Sequence, residues 1–431
     1  MNVLFIHQNM PGQFKHLAPA LAREASNRVA FITAEGSTLP PEDVTVERYP
    51  RPSTDRQTRG THPYVTRFDR AVRYGQGTVR AALRLREAGF EPDAVMVHTG
   101  WGEGLFLRDL YPDAGILAFC EFYFDGRSAD QNFDPQFQNS LDDVCRMRLN
   151  NTEMSMSTQA SNWGVTPTWW QWSRHPEFMR RKISVIHDGI DTDHCSPIDN
   201  PQIELPNGTA LTRDDEVVTY VSRNFEPYRG FEPFMKSIAT ILERRPRSRV
   251  LLVGGDDVSY SKRVADARTW RESILSKVRF DPTRVVFLHR CSYEELRNVL
   301  SLSSAHVYLS YPFVLSWSLL ESMSHECLVI GSRTPPVMEV IEHGNNGLLV
   351  DFFSSDQIAD AVVNALENPD AMRPIRARAR ETVRARYDLK TVCLPAQVEL
   401  ITRVAEHRYP PPTEDGWSLL PAADGMPPRI L

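Results

Sequence analysis

Apolar residues arrive along this chain in short unbroken runs, each stopped by a polar or glycine-containing turn and followed by a stretch at helical spacing. Residues 3–6 (Val-Leu-Phe-Ile) run into His7-Gln8-Asn9-Met10-Pro11-Gly12, after which Phe14, Leu17, Leu21 and Ala22 recur one helical turn apart before a second run at 29–32. Runs of this length bounded by turn signals predict strands buried on both faces. Two more, 94–97 and 115–119, follow a helical stretch at 80–88 and lead into His98-Thr99-Gly100-Trp101-Gly102 and Cys120-Glu121-Phe122-Tyr123. The pattern then restarts, with strands predicted at 216–221, 249–253, 284–288, 305–309 and 328–330 and helices between them such as 231–243 and 294–302. Strands alternating with helices predict the α/β class, with a parallel sheet covered on both faces.

The restart divides the chain into two Rossmann-like domains expected to face each other across a cleft. The expected boundaries are 1–187 for the first, 188–207 for a linker, 208–387 for the second, and 388–431 for a helix and Pro-rich tail that pack back on the first. A length of 431 residues fits two domains rather than one core. No run approaches the roughly 18 apolar residues of a membrane span, and the amino end lacks a basic region and a long apolar core, so a cytoplasmic protein is expected. Six scattered cysteines without a C-x-x-C pair argue against a zinc ribbon or a disulfide framework. The net charge of −6 does not mark a nucleic-acid binder. Locally, however, nine arginines and no lysine fall between Arg51 and Arg86.

In open α/β sheets, ligands sit beyond the carboxyl ends of the strands. Arg223 and Arg229 flank such a turn and precede a helix, a pattern able to hold a diphosphate and to neutralise the charge it gains on leaving; incidental arginines on a solvated turn are the alternative. Ser316 or Ser318 can cap a helix whose first N–H groups face a phosphate. Glu321, three residues past Ser318, reads either as the glutamate of a capping box or as a carboxylate for ribose hydroxyls, and spacing does not separate the two. Arg67, Arg70, Arg73, Arg80 and Arg84 form one stripe on a helix. It reads as a solvated face or as the contact for an anionic acceptor, nucleic acid included.

The region 216–387 resembles the nucleotide-sugar glycosyltransferases of family 4, which have the GT-B fold, and the first domain resembles them more loosely. The resemblance is carried by an ordered set: Val185-Ile186-His187-Asp188-Gly189-Ile190-Asp191, Ser222-Arg223 with Arg229-Gly230, Val253-Gly254-Gly255, Leu319-Leu320-Glu321, Leu328-Val329-Ile330-Gly331-Ser332, Met338-Glu339-Val340-Ile341 and Asn346-Gly347-Leu348-Leu349-Val350. It implies retaining transfer of a sugar from a nucleoside-diphosphate sugar, most often a uridine diphosphate sugar, to an acceptor hydroxyl. Arg223 and Arg229 would grip the donor diphosphate, Glu321 the ribose, and the backbone around Ser316, Trp317 and Ser318 the phosphates, with His289 and Arg290 beside the base. His98 would touch the transferred sugar, and Gly12 would let the backbone approach the donor.

A departure from the family pattern accompanies these matches. Phe313 stands eight residues before Glu321 where the family carries a further glutamate, and Ser316 replaces a glycine, which bears on sugar identity. Gly254-Gly255-Asp256-Asp257 is not assigned a metal, because the arginine pair supplies the positive charge, and no cofactor is expected beyond the co-substrate. Glu121 reads as an acceptor contact or as a carboxylate at the core edge. The acceptor classes left open are a glycan, a lipid-linked glycan, a small molecule, or nucleic acid met through residues 51–86. Two rival readings share the fold, a nucleotide-sugar epimerase and a non-catalytic nucleotide-sugar binder.

Overall fold

The computed structural model describes residues 1–36, 43–52, 60–127, 130–205, 208–264 and 268–410. Arg56, Arg59 and nearly all of the Pro-rich tail lie outside them. The chain divides into two compact units, Met1–Gly189 with the segment returning from Lys390, and Ile190–Leu389.

The first unit is built on β1 (Asn2–Ile6), β2 (Arg28–Ala34), β3 (Val44–Tyr49), β4 (Ala94–His98), β5 (Gly115–Phe119), β6 (Trp163–Thr166) and β7 (Ile183–Val185). All pair in parallel, in the order β3-β2-β1-β4-β5-β6-β7. Alternate residues of β1 serve opposite layers, which is why its apolar run is continuous. Val3 and Phe5 join Phe14, Leu17, Phe31, Leu400 and Val404 on one face. Leu4 and Ile6 join Ala81, Ala82, Leu85 and Tyr111 on the other. The helix Leu394–Ala405, which supplies Leu400 and Val404, belongs to this unit's core.

The second unit carries β8 (Ile203–Glu204) and β9 (Ala210–Leu211), a short antiparallel ladder, and a parallel sheet of β10 (Val217–Asn224), β11 (Arg249–Gly255), β12 (Val285–Phe287), β13 (Ala305–Tyr308), β14 (Val329–Ser332) and β15 (Leu348–Val350). Its order is β12-β11-β10-β13-β14-β15. Both parallel sheets therefore reverse direction once, between β1 and β4 and between β10 and β13. At such a switch point the two following loops diverge to opposite faces and leave a crevice above the strand ends.

Several elements escape the hydrophobic pattern. The edge strand β3 alternates Val44 and Val46 with Thr45 and Glu47 and has no continuous run to betray it. The helix seen as 80–88 in the sequence begins at Thr66 and ends at Glu87, because its buried stripe is made of Ala71, Gly75, Gly77, Thr78, Ala81 and Ala82 rather than of large apolar side chains. Within the stretch expected to be a linker, Ile190 is the first residue of the second unit, and its backbone pairs with Tyr387 and Leu389.

Candidate functional site

The second unit places Arg223 at the last turn of β10 and Arg229 in the short helical turn Pro227–Arg229 that follows it. Arg223 is exposed. Arg229 is buried, and its Nη1 donates to Ser310 Oγ at 2.8 Å, to Val314 O at 3.3 Å and to Tyr308 Oη at 3.4 Å. The Tyr260 ring lies 5.5 Å from its guanidinium carbon. Among the described residues no carboxylate pairs with either arginine. Its hydrogen bonds go to neutral oxygens and Glu226 attracts it only through space, so the buried guanidinium of Arg229 stays charged and able to meet an anion.

Tyr308, at the end of β13, ties this arginine to the next element. Its hydroxyl also accepts from the Ser316 N–H at 3.0 Å, directly before the helix Trp317–Ser324. Ser316 is the cap of that helix, accepting from the Ser318 N–H at 3.3 Å, and the Ser316 and Ser318 hydroxyls meet at 2.9 Å. The capping-box reading of Glu321 does not hold, because Ser316 rather than Ser318 is the cap. The buried Glu321 carboxylate turns instead to Tyr293, whose hydroxyl donates to Oε1 at 2.7 Å. Burial, reinforced by that carboxylate, pushes the Tyr293 phenol well above its ordinary range. The Tyr293 ring stacks on His194, with centroids 5.0 Å apart and planes 25° apart.

His289 and Arg290 follow β12 at the same sheet edge. His289 takes a left-handed backbone conformation (φ +51°), with its carbonyl accepting from Gly254 N–H. Arg290 pairs with Asp257 at 2.8 Å, and a Cβ on Gly255 would fall 3.1 Å from its Nε. Asp256 pairs with Arg271 at 2.8 Å. Both aspartates of the acidic pair thus have cationic partners. Phe313 is buried edge-on against Tyr228 (5.6 Å) and Tyr260 (5.0 Å). Glu226, which the sequence did not single out, is buried and accepts from the Tyr260 and Ser261 N–H groups, holding the loop that carries Tyr260 toward Arg229.

In the first unit the ends of β1 and β4 bring His7 and His98 together. Their ring centroids are 5.0 Å apart, and Trp101 stacks on His98 at 4.1 Å and 19°. His98 Nδ1 accepts from Gly100 N–H at 3.1 Å, so its proton sits on Nε2. Nε2 is buried, makes no hydrogen bond among the described residues, and lies 3.6 Å from Glu121 Oε2. Glu121 Oε1 accepts from Gln13 Nε2 at 3.0 Å, and Gln13 Oε1 accepts from His7 Nε2 at 2.8 Å. Asn9 N–H closes the chain by donating to His7 Nδ1. Burial and the neighbouring His98 lower the His7 pKa to about 3, so this imidazole stays neutral. Gly12 (φ +52°) passes so close to His7 that a Cβ would fall 2.5 Å from Nε2.

The arginine stripe is mostly engaged within its own unit. Arg67 pairs with the buried Glu153 at 2.9 Å, Arg73 with Asp69 at 2.9 Å, Arg84 with Glu47 at 2.9 Å and Arg86 with Glu91 at 3.1 Å. Arg70 and Arg80 are exposed on the helix. Three of the stripe's five cations, Arg67, Arg73 and Arg84, are thus paired with carboxylates.

Gln13, Tyr293, Tyr308, Ser310, Glu153 and Glu226 have no sequence signal, since each acts on a residue far away in the chain. Among the described residues no group of three or more histidine, cysteine or acidic side chains could hold a metal ion, and no helix is long and apolar enough to cross a membrane.

Two family models match in succession and together cover most of the chain. Residues 25–195 match the glycosyl transferase family 4 group, and residues 202–382 match glycosyl transferases group 1. The chain belongs to the family 4, group 1 glycosyltransferases. Family relatives include N-acetyl-alpha-D-glucosaminyl L-malate synthase of Bacillus anthracis, 30% identical over 47% of this chain and 49% of the relative. D-inositol 3-phosphate glycosyltransferase of Rhodococcus jostii is 26% identical over 48% of this chain and 44% of the relative. The matches thus span about half the length of these curated relatives.

Among solved structures, sucrose-phosphate synthase from Thermosynechococcus elongatus superposes with a TM-score of 0.70 at 17% identity, covering 94% of this chain and 100% of that one. An Anabaena protein solved with UDP and glucose superposes with a TM-score of 0.65 at 14% identity, covering 93% and 99%. These likenesses show the GT-B fold.

Proposed function

We propose that the chain is a retaining glycosyltransferase that moves a sugar from a nucleoside-diphosphate sugar, UDP-linked, to an acceptor hydroxyl without a metal. The observation that carries this reading is Arg229: a buried guanidinium at the switch point of the second sheet, in a salt bridge with no carboxylate among the described residues, and joined through Tyr308 to the amino end of the Trp317 helix. Arg223 and Arg229 hold the diphosphate, and Glu321 accepts from the ribose. The capped helix end receives phosphate oxygens on its N–H groups. His289 and Arg290 lie beside the base.

In the transfer step the bond between the anomeric carbon and the phosphate oxygen breaks, and one to the acceptor oxygen forms on the same face of the sugar. The acceptor proton passes to the departing diphosphate, whose growing charge the two guanidinium groups stabilise. His98, with its tautomer fixed and its Nε2–H toward Glu121, would serve the transferred sugar, and Gln13–Glu121 beside it the acceptor. The names of two relatives carry small hydroxylated anions, L-malate and D-inositol 3-phosphate, which supports a small anionic acceptor, with Arg70 and Arg80 the exposed cations of the stripe.

Titration with UDP and a panel of UDP-sugars, followed by mass spectrometry of acceptor mixtures, tests the reading. Calorimetric binding of UDP in the absence of divalent metal, with a glycosylated product and released UDP in equal amounts, is the expected result. Isomerised donor without product would replace it with an epimerase.

A further inference from the structure

We propose that Arg67 and Glu153 are positioning residues that lock the imidazole of His98 through Gly100. The arginine stripe suggested an anion-binding face, but its first member is spent inward. Arg67 Nε donates to Glu153 Oε1 at 2.9 Å and Nη2 to the Gly100 carbonyl at 3.1 Å, with its guanidinium over the Phe124 ring at 5.6 Å. Gly100 N–H in turn donates to His98 Nδ1, and the next residue, Trp101, stacks on the same imidazole. One guanidinium thus holds the residue that sets the His98 tautomer and orients the peptide leading to the ring that covers it.

The rest of the loop is pinned to the same helix and its neighbours. Gly102 (φ +112°) passes so close to Ala71 that a Cβ would fall 2.2 Å from its carbonyl oxygen. Glu103 accepts from Tyr49 Oη at 2.7 Å. Glu153 itself is buried in the first turn of the helix Thr152–Ala160, where burial raises its pKa against the pull of Arg67. A fixed fork that reaches a carboxylate and a carbonyl together is a task for arginine and not for lysine, whose ammonium is a single point. Without the clamp, Gly100 is free to turn its N–H away, and the imidazole protonates on either nitrogen.

The consequence for transfer rests on His98 acting on the transferred sugar; the effect on the tautomer does not. The test is nitrogen NMR of the full-length chain labelled at histidine, with the His98 signals assigned by their loss in His98→Asn. In the native chain Nδ1 resonates as an unprotonated nitrogen and Nε2 as a protonated one. In Arg67→Gln and Glu153→Gln the two shifts move toward each other, and UDP-glucose hydrolysis loses tenfold or more in kcat with donor KM within about twofold. Arg67→Lys restores only part of the difference.

Unchanged His98 shifts in a folded variant overturn the proposal, whether or not kcat falls. Should Arg67→Gln not fold, the isosteric Glu153→Gln carries the test. Shifted signals in a chain that hydrolyses no donor leave the positioning role standing and count against the transferase reading instead.

Discussion

Tyr293 donates its hydroxyl hydrogen to Glu321 Oε1 across 2.7 Å, and Cys195 Sγ lies 3.3 Å behind that same hydroxyl. The phenol has one proton to give and gives it to the carboxylate, so the thiol is the donor to the phenolic oxygen. Glu321 is thereby held in place, and under the proposed function its second oxygen is the acceptor for the ribose. Tyr293→Phe should weaken UDP binding about three- to tenfold, and Glu321→Gln by more, because a buried acceptor is exchanged for a group that also donates. Calorimetry with UDP checks both, and equal affinity for the 2′-deoxy nucleotide and UDP in Glu321→Gln would confirm where the carboxylate acts.

Arg229 reaches Ser310, Val314 and Tyr308 from one nitrogen and also engages Tyr260, and under the proposed function the same buried guanidinium meets the diphosphate. Arg229→Lys should cost 10- to 100-fold in UDP affinity, about 1.4–2.7 kcal/mol. The folded chain should keep its melting point to within a few degrees, because no carboxylate among the described residues loses a partner. Binding lost together with a collapse of the melting point would assign Arg229 to the fold alone.

Phe313 meets the Tyr228 and Tyr260 rings, and Tyr260 in turn lies over Arg229. Whatever is attached to an anion bound at Arg229 is flanked by aromatic faces on this side. Phe313→Glu should change the ranking among UDP-sugars while altering UDP affinity less than about threefold. A competition assay across glucose, N-acetylglucosamine and deoxysugar donors reads the difference.

Glu103 is fully buried, with Tyr49 donating to Oε1 and, among the described residues, no side-chain donor to Oε2. Burial lifts its pKa from 4.5 to about 7, against the opposing pull of the Tyr49 hydrogen bond and Arg51, while Glu153 adds to the rise. The folded chain therefore binds this proton more tightly than the unfolded one. Its contribution is complete below pH 4.5 and is lost as pH rises toward 7, by roughly 3 kcal/mol in all. Urea midpoints at pH 5 and pH 8 should differ less in Glu103→Gln than in the native chain.

The sequence carried the two halves of the fold because β1, β4, β5, β10, β11 and β13 are buried on both faces, which forces continuous apolar runs. The apolar pattern missed β3, an edge strand with one wet face, and the first half of the helix Thr66–Glu87, whose buried stripe is small residues and which only the arginine spacing placed on a helix. The sequence also marked Arg223, Arg229, Ser316 and Glu321, since strand ends and helix starts are local features of the chain.

What the sequence by itself determined is thus the alternation of elements and the order of its motifs, both written in neighbouring residues. Tertiary structure alone decided which of two readings each polar residue takes. Glu321 turns to Tyr293, 28 residues away, rather than back to its own helix, and Arg67 turns to Glu153, 86 residues away, rather than out to a ligand. A side chain's partner is set by what the parallel sheet brings beside it, and parallel strands join segments that lie far apart in the chain.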